Sequence, residues 1–362
     1  MKYLAIPLIF LITISCDPNS NKDSYNPEAD TLKYDQEVHL QNVRQLTFGG
    51  DNAEAYWSYD SEKLIFQSNY SDWDVECDQI FTMDISEKQA GFEPTMVSTG
   101  NGRTTCAYFL PGDSTFVYSS THEASMECPQ PPERGETGAY VWPIYDTYDI
   151  YKADTNGNVI AKLTDEPGYD AEPTVSPRGD KIVFTSDRSG DLELYIMDTD
   201  GSNIIQITDK LGYDGGAFFS PDGTQLIFRA SRPKTEEEIT KYKSLLKDGL
   251  VEPTNMELFI VNVDGSGLRQ ITDLGNANWA PYFHPSGEKI VFSSNHQSQR
   301  GFPFNIFMIN VDGTGLKQIT FDKQFDSFPM FSPDGKKIVF SSNRFNGGDR
   351  STNVFVADWI QK

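Results

Sequence analysis

Carboxylate side chains recur near the start of short β-strand patterns, and they are the side chains best suited to chemistry in this chain. The residues that enter these strands are Glu54, Thr105, Glu172, Gly216, Trp279 and Phe328, and Asp170, Asp214 and Asp326 lie just before them. Carboxylates that converge on one axis would attract a cation or a basic peptide group. Because Asp also initiates turns readily, solvated loop residues are the alternative.

Arginine side chains follow the second strand of several repeats, on the same side as these carboxylates. They are Arg188, Arg229, Arg232 and Arg344. A guanidinium group binds a carboxylate through paired hydrogen bonds, so these residues could hold an acidic ligand. The alternative is that they neutralise the neighbouring acids of the protein itself.

Catalytic motifs are missing from the sequence. It contains no Gly-x-Ser-x-Gly, and Met126 stands where the second histidine of a metalloprotease motif would follow His122-Glu123. We therefore expect a protein that is not an enzyme. No cofactor is expected, although the axial carboxylates could bind a divalent cation, and the sequence leaves the metal open.

The cysteines indicate an oxidising compartment. Three of the four, Cys77, Cys106 and Cys128, map to one side of the first two repeats. Two of them are expected to form a disulfide, and the sequence does not decide which two. Buried thiols, or a metal site that also uses His122, are the alternatives.

Long insertions all fall between second and third strands, so they decorate a single side of the fold. The insertion Thr121–Thr147 contains Tyr140 and Trp142, whose rings suit a peptide or sugar ligand. These rings could instead pack the loop onto its own repeat. The insertion Ala230–Met256 contains a helix pattern that begins with the capping box Thr235 and Glu238.

Those insertions interrupt a repeat that defines the fold. The stretch Glu172–Thr208 predicts four short strands joined by tight turns of the Ser-Pro-Asp-Gly type. Its recurrence at about 45 residues is typical of propeller blades, and six inner strands indicate six blades. Asn353–Trp359, the third strand of the sixth blade, has no outer strand after it, whereas Val43–Thr47 has the sequence of an outer strand with no blade before it. We therefore predict that the N-terminal strand completes the sixth blade.

One repeat carries a specific resemblance. Gln-Ile-Thr at Gln318 and the run Phe-Ser-Pro-Asp-Gly-Lys-Lys-Ile-Val-Phe-Ser-Ser-Asn-Arg ending at Arg344 are similar to the WD40-like repeats of the TolB family. The resemblance covers about Val43–Trp359 and implies an all-β, six-bladed propeller over residues 38–362. Such repeats also occur in propeller domains of prolyl-oligopeptidase-type peptidases and in oligogalacturonate lyases, so the resemblance implies the fold rather than one function.

The N-terminal sequence is typical of a targeting segment. Lys2 precedes the apolar run Tyr3–Ile14, which is too short to span a membrane. The sequence that ends at Cys16 resembles a bacterial lipobox, with Thr13 departing from the usual Leu. We expect residues 1–15 to be removed as a signal peptide, Cys16 to be lipidated, and residues 16–37 to form a flexible tether. An ordinary secreted protein is the alternative.

The net charge of -23 argues against nucleic-acid binding, which needs a basic surface. Taken together, these patterns predict a monomeric cell-envelope lipoprotein, facing the periplasm or the cell surface. Its loop-rich side would bind an envelope protein, a peptide or a glycan, and its contact with the membrane would be through the lipid alone. The alternative is a polysaccharide lyase or hydrolase that uses the acidic residues of the channel.

Overall fold

The computed structural model describes residues 29–86, 93–130, 140–299 and 301–362. Six four-stranded antiparallel sheets form a six-bladed β-propeller, which confirms the fold class and the number of blades. None of the helices within these ranges is long and apolar enough to cross a membrane.

The strands follow the repeat along the chain, and each blade runs from its inner to its outer strand. The first strand, β1 (Leu40–Gln45), belongs to the sixth blade. Blade 1 contains β2 (Asn52–Trp57), β3 (Lys63–Ser68), β4 (Gln79–Asp84) and β5 (Thr95–Met96). Blade 2 contains β6 (Thr104–Phe109), β7 (Thr115–Ser120), β9 (Asp149–Asp154) and β10 (Val159–Lys162), with β8 (Trp142–Pro143) in its insertion.

Blade 3 contains β11 (Asp170–Val175), β12 (Lys181–Ser186), β13 (Glu193–Asp198) and β14 (Ile205–Gln206). Blade 4 contains β15 (Asp214–Phe219), β16 (Gln225–Ala230), β18 (Glu257–Asn262) and β19 (Arg269–Gln270), with the helix α1 (Glu236–Lys247) and β17 (Leu250–Val251) in its insertion. Blade 5 contains β20 (Asn278–Phe283), β21 (Lys289–Ser294), β22 (Asn305–Asn310) and β23 (Lys317–Gln318). Blade 6 contains β24 (Asp326–Phe331), β25 (Lys337–Ser342), β26 (Asn353–Trp359) and β1. Two 3-10 turns, Ala29–Leu32 and Ser71–Trp73, complete the elements.

The two ends of the chain share the sixth blade, as predicted. Strand β1 pairs antiparallel with β26, so that Leu40 lies opposite Trp359 and Gln45 lies opposite Phe355. This pairing supplies the outer strand that the last repeat lacks and closes the ring without leaving β26 as an exposed edge.

A buried ion pair fastens the segment before β1 to the same blade. The Arg344 guanidinium donates to both carboxylate oxygens of Glu37, at 3.0 and 2.9 Å, and to Asp326 at 2.7 Å. All three side chains are fully buried. Glu37, at the end of the expected tether, thus packs on blade 6 and compensates the buried charge of Arg344. Residues 1–28, with Cys16 and most of the expected tether, lie outside the described part.

Each inner strand carries a bulge at its third residue. At this position the backbone φ is positive in all six blades, and the register of the first two strands shifts at the same point. The six residues are Glu54, Cys106, Glu172, Gly216, Ala280 and Phe328. A bulge redirects a side chain out of the regular alternation, and here it sets the residues that face the axis.

A second repeated contact joins the first and second strands of a blade. In blades 3, 4 and 6 the aspartate that begins the inner strand binds the arginine that lies 18 positions later: Asp170 with Arg188, Asp214 with Arg232, and Asp326 with Arg344. Each guanidinium group also lies over an aromatic ring, at 5.1 Å from Tyr195, 4.9 Å from Phe259 and 4.9 Å from Phe340. His122 and His296 take the arginine position in blades 2 and 5 and pack on Tyr151 and Phe307.

The seam between blades 3 and 4 holds an acid without a dedicated partner. Glu193, the first residue of β13, is only 3% exposed, and one of its oxygens has no hydrogen-bond partner among the described residues. Burial, followed by the nearby charge of Asp214, raises the pKa of Glu193 to about 8. Asp214 binds Arg232, and Asp191 adds a further negative charge beside the pair. Blades 1, 5 and 6 have the neutral residues Gln79, Asn305 and Asn353 at the same position, whereas blade 2 has Asp149, which binds Lys162, and blade 4 has Glu257.

Replacing Glu193 by Gln should therefore stabilise the protein in a pH-dependent manner. The folded-state pKa lies above the unfolded value, so the folded protein holds a proton that the unfolded chain releases as the pH rises. The free energy of unfolding of the wild type should thus fall between about pH 4.5 and 8, whereas Glu193→Gln lacks this loss. We expect the variant to gain about 2 kcal/mol by pH 8 and little at pH 4.5, measured by urea unfolding.

The exposed Glu288 provides the matched control, since Glu288→Gln should leave stability unchanged within about 0.5 kcal/mol at both pH values. A gain for Glu193→Gln that is the same at both pH values would contradict a buried proton at this seam.

Candidate ligand-binding pocket

The insertions of blades 2 and 4 meet on one side of the ring and form a common wall. Strand β8 pairs with β17, with Trp142 opposite Val251 and Pro143 opposite Leu250. The predicted capping box of α1 is present, because Thr235 accepts from the Glu238 amide and the Glu238 side chain accepts from the Thr235 amide. The helix is anchored to the ring where the Tyr242 hydroxyl donates to Asp191.

A disulfide fastens the other end of the blade 2 insertion. Cys77 and Cys128 are bonded and join the loops that follow the second strands of blades 1 and 2. Cys106 is a buried free thiol. The expectation of one disulfide and one spare cysteine among these three is confirmed, and the pairing that the sequence left open is Cys77 with Cys128.

A cavity of about 610 Å³ opens on this side of the ring, around the axis. Its walls are largely aromatic, and its rings come from the insertions of blades 2 and 5 and from the ends of several blades: Tyr140, Trp142, Tyr145, Tyr148, Tyr169, Tyr213, Trp279, Phe302, Phe304, Phe325 and Phe328. Trp279 is the centre of this wall, with its ring centroid 5.1 Å from Trp142 and 4.4 Å from Phe304. Tyr140 and Phe302 are 50% and 63% exposed, so they form the rim.

Aromatic side chains fill the axis beneath this cavity. The ring of Phe218 lies 5.5 Å from Tyr56 and 5.2 Å from Tyr282, and Tyr56 lies 5.7 Å from Tyr108. Phe218 also lines a separate depression of about 270 Å³ on the opposite side of the ring. The larger cavity is therefore a blind pocket with a floor at Phe218, rather than a through channel.

Charged residues form one side of the pocket, and Arg229 is the central one. Its guanidinium donates to Glu172 and, at 2.7 Å, to the Tyr213 hydroxyl, and it lies between the rings of Trp142 and Tyr213 at 5.3 and 5.2 Å. Gly216 makes room for it, since a Cβ at Gly216 would lie 1.7 Å from Nη1 of Arg229. The other blades have Gln67, Ser119, Thr185, Ser293 and Ser341 at the position of Arg229.

The carboxylate of Glu172 stays ionised in this surrounding. Burial acts to raise its pKa, but the charge of Arg229 and hydrogen bonds from Thr185 and the Gly216 amide, both at 2.8 Å, hold the pKa below its usual value. Glu172 and Arg229 thus form a compensated pair at the base of the pocket.

The pKa of Glu54, in contrast to that of Glu172, is raised. Burial raises its pKa to about 7, although the hydrogen bond from the Cys106 thiol at 2.8 Å acts to lower it. Burial and the neighbouring carboxylates raise the pKa of Cys106 well above its usual value, which disfavours the thiolate form of this residue. Near the rim, Arg103 binds Asp78 in a third charged contact.

The residues singled out from the sequence divide into two groups. Those that line the pocket are Glu54, Tyr140, Trp142, Glu172, Arg229 and Trp279. Those that lie instead in ion pairs within their own blades are Arg188, Asp214, Arg232, Asp326 and Arg344. These arginines balance the acids of their own repeat, which is the alternative considered for them.

The bulge residue lies one position after the residue named from the sequence in blades 2 and 5. The residues at the bulge are Cys106 and Ala280, rather than Thr105 and Trp279, although Thr105 and Trp279 also line the pocket. Sequence reasoning also missed Asp78 and Arg103, which lie in loops. Four residues that directly precede an inner strand face the pocket, namely Arg103, Tyr169, Tyr213 and Phe325. This shared position in the repeat could have identified them from the sequence.

The described residues include no group of three or more His, Cys, Asp or Glu side chains arranged to hold a metal ion. A site made by the three cysteines and His122 is therefore not formed, since Cys77 and Cys128 are bonded to each other and His122 packs on Tyr151.

Comparison with known proteins agrees with this architecture. No curated protein matches the chain. Its solved neighbours include a putative TolB from Agrobacterium tumefaciens, with 19% identity, a TM-score of 0.55, and coverage of 88% of this chain and 97% of the other. TolB from Acinetobacter baumannii has 18% identity, a TM-score of 0.55, and coverage of 84% and 65%.

An oligogalacturonate lyase from Vibrio parahaemolyticus also shares the fold, with 12% identity, a TM-score of 0.52, and coverage of 90% and 95%. At these identities the likeness establishes the fold alone. The family model of the TolB beta propeller domain matches residues 129–251 and 250–355, more than half of the sequence. The chain therefore belongs to the TolB beta propeller domain family.

Proposed function

We propose that this propeller is a binding protein of the bacterial cell envelope, held to the membrane by a lipid on Cys16. Its blind pocket would capture a ligand, whether a segment of an envelope protein, a peptide or a glycan. Catalysis is not part of this function.

One observation carries the proposal, namely the blind cavity walled by aromatic side chains on the side that holds the insertions. A volume of about 610 Å³ lies within the usual range for ligand sites, which are mostly apolar with a few convergent polar groups. Rigid blades support both ends of the wall, through the Cys77–Cys128 bond and the pairing of β8 with β17. Such support holds the aromatic residues in place before a ligand arrives, which reduces the entropy lost on binding.

A lyase acting on an acidic polysaccharide is the second candidate. The supporting observation is that Glu54 and Glu172 face the same pocket beside Arg229, and that Glu54 has a pKa of about 7. A carboxyl group with such a pKa suits proton transfer. The V. parahaemolyticus lyase shows that this fold can carry such an activity.

The envelope location is supported by the disulfide, because such bonds persist in oxidising compartments. The apolar N-terminal run ending at Cys16 supports a lipid anchor.

The rim of the pocket provides the test of the binding function. Removing the rings of Tyr140 and Phe302 together should weaken ligand binding about tenfold, because each stacking contact contributes about 0.5–1.5 kcal/mol. Both residues are exposed, so the double variant should fold normally. Binding of envelope-derived peptides and glycans would be measured by tryptophan fluorescence, since Trp142 and Trp279 lie in the wall.

The matched control is Phe345→Ala, which removes an exposed ring outside the pocket and should leave binding unchanged. Equal affinity of the double variant and this control for every bound ligand would place the site elsewhere.

The lyase candidate is tested with oligogalacturonate as substrate. Incubation with the wild-type protein should produce no increase in the ultraviolet absorbance of an unsaturated sugar product, because the proposed role is binding. Turnover that disappears in Glu54→Gln, while the fold is retained by circular dichroism, would instead establish the second candidate.

The anchor is tested by replacing Cys16 with Ala in the full-length chain. The variant should lose incorporation of radioactive palmitate and should move from the membrane fraction to the soluble fraction of lysed cells. Cys106→Ala is the control and should keep both properties. Membrane association of Cys16→Ala equal to that of the wild type would contradict the lipid anchor.

A further inference from the structure

We propose that the ligand of this pocket is a neutral oligosaccharide, whose hydroxyl groups bind the charged side and whose sugar rings stack on the aromatic side. This inference rests on the proposed binding function and names the class of ligand. It follows from the charges, the polar atoms and the rings of the pocket.

Two carboxylates of the pocket are each paired with an arginine, and the third carboxyl group, that of Glu54, accepts from the Cys106 thiol. Arg229 binds Glu172 at the base, and Arg103 binds Asp78 toward the rim. A ligand with a negative group would approach Asp78 and Glu172, and a ligand with a positive group would approach Arg103 and Arg229. Burying an ionic group that lacks an available partner is costly, so either kind of ligand would have to break an existing ion pair.

A neutral hydroxyl group avoids this conflict. It can donate to a carboxylate oxygen and accept from a guanidinium group at the same time, without displacing either from its partner. The pocket also contains polar side chains of mixed character, including Gln67, Thr105 and the phenol groups of Tyr145 and Tyr148. Alternating donors and acceptors of this kind match a row of sugar hydroxyl groups.

The aromatic side offers ring faces rather than polar edges. The indole N–H of Trp279 donates to the Pro253 carbonyl at 2.9 Å, and that of Trp142 donates to the Tyr140 hydroxyl at 3.0 Å. Because these polar atoms are already satisfied, the two rings offer a ligand apolar surface rather than further donors. The C–H face of a pyranose ring packs against such a face and loses little hydrogen bonding in doing so.

An extended peptide fits this wall less well. Peptides that bind by strand addition need a sheet edge with available backbone groups. Strand β8, which lines the pocket, pairs with β17 through Trp142–Val251 and Pro143–Leu250, so the backbone groups that face β17 are already engaged.

The inference is tested by titrating the full mature protein with three sets of ligands. The first contains neutral oligosaccharides of three to six units of glucose, mannose, galactose or N-acetylglucosamine, the second contains oligogalacturonates of the same lengths, and the third contains envelope-derived peptides. Calorimetry at low and at high salt gives the affinities. We expect at least one neutral oligosaccharide to bind, with an affinity that salt does not change, because an uncharged ligand makes no screened charge contact.

Variants locate the binding in the pocket. The combined Tyr140→Ala and Phe302→Ala change should weaken the neutral oligosaccharide about tenfold, whereas Phe345→Ala should not weaken it. Since these side chains are exposed, circular dichroism should show all three proteins folded.

The outcomes separate a failure of the neutral-sugar inference from a failure of the proposed binding function. Binding of oligogalacturonates or peptides alone, weakened by the rim variant, would overturn the neutral-sugar inference and leave the binding function standing. An affinity for neutral sugar that falls steeply with salt, or that the rim variant does not change, would also overturn it. If no ligand of any class binds, both the inference and the proposed function fail.

Discussion

The pairing of β1 with β26 is the constraint on which the rest of the structure depends. A propeller with an unpaired seam would leave the last blade short of a strand and would expose the backbone of β26. With β1 in place, each blade packs between two neighbours and the core is shared around the axis. Glu37 extends this closure, because it brings a buried carboxylate to Arg344 and so ties the segment before β1 to blade 6.

Because the ring is closed, residues from several blades meet at its axis and form the pocket together. The bulge at the third residue of each inner strand places six residues at the axis, five of which carry a side chain. Blades 1 to 3 place Glu54, Cys106 and Glu172 there, whereas blades 5 and 6 place Ala280 and Phe328. Identical geometry with different residues thus yields a pocket with a charged side and an aromatic side, and Gly216 in blade 4 leaves the space that Arg229 fills.

The fold could be predicted because the repeat is local. Ser-Pro-Asp-Gly turns, alternating strands and the missing sixth outer strand are all visible in the sequence, so the six blades and the closure by the N-terminal strand followed from it. The grouping of the insertions on one side followed as well, and it indicated Tyr140 and Trp142, which line the pocket.

Other features depend on distances that the repeat does not reveal. Which cysteines pair depends on how the loops of blades 1 and 2 meet. The bulges add Cys106 and Ala280 to the axial residues, next to the Thr105 and Trp279 named from the sequence. The roles of Arg188, Arg232 and Arg344 were harder to predict, because these residues and Arg229 all lie at or just after the second strand of a blade. Only the aspartate 18 positions earlier distinguishes them, and Arg229 is the arginine outside that pattern.

Hydrogen exchange of the β1 amides, followed by mass spectrometry of the native protein, tests the closed ring most directly. If β1 is the outer strand of the sixth blade, peptides that contain Leu40–Gln45 should exchange as slowly as those from β26. Exchange of Leu40–Gln45 at the rate of an unstructured peptide, with β26 still protected, would contradict the closed ring and the pocket that it supports.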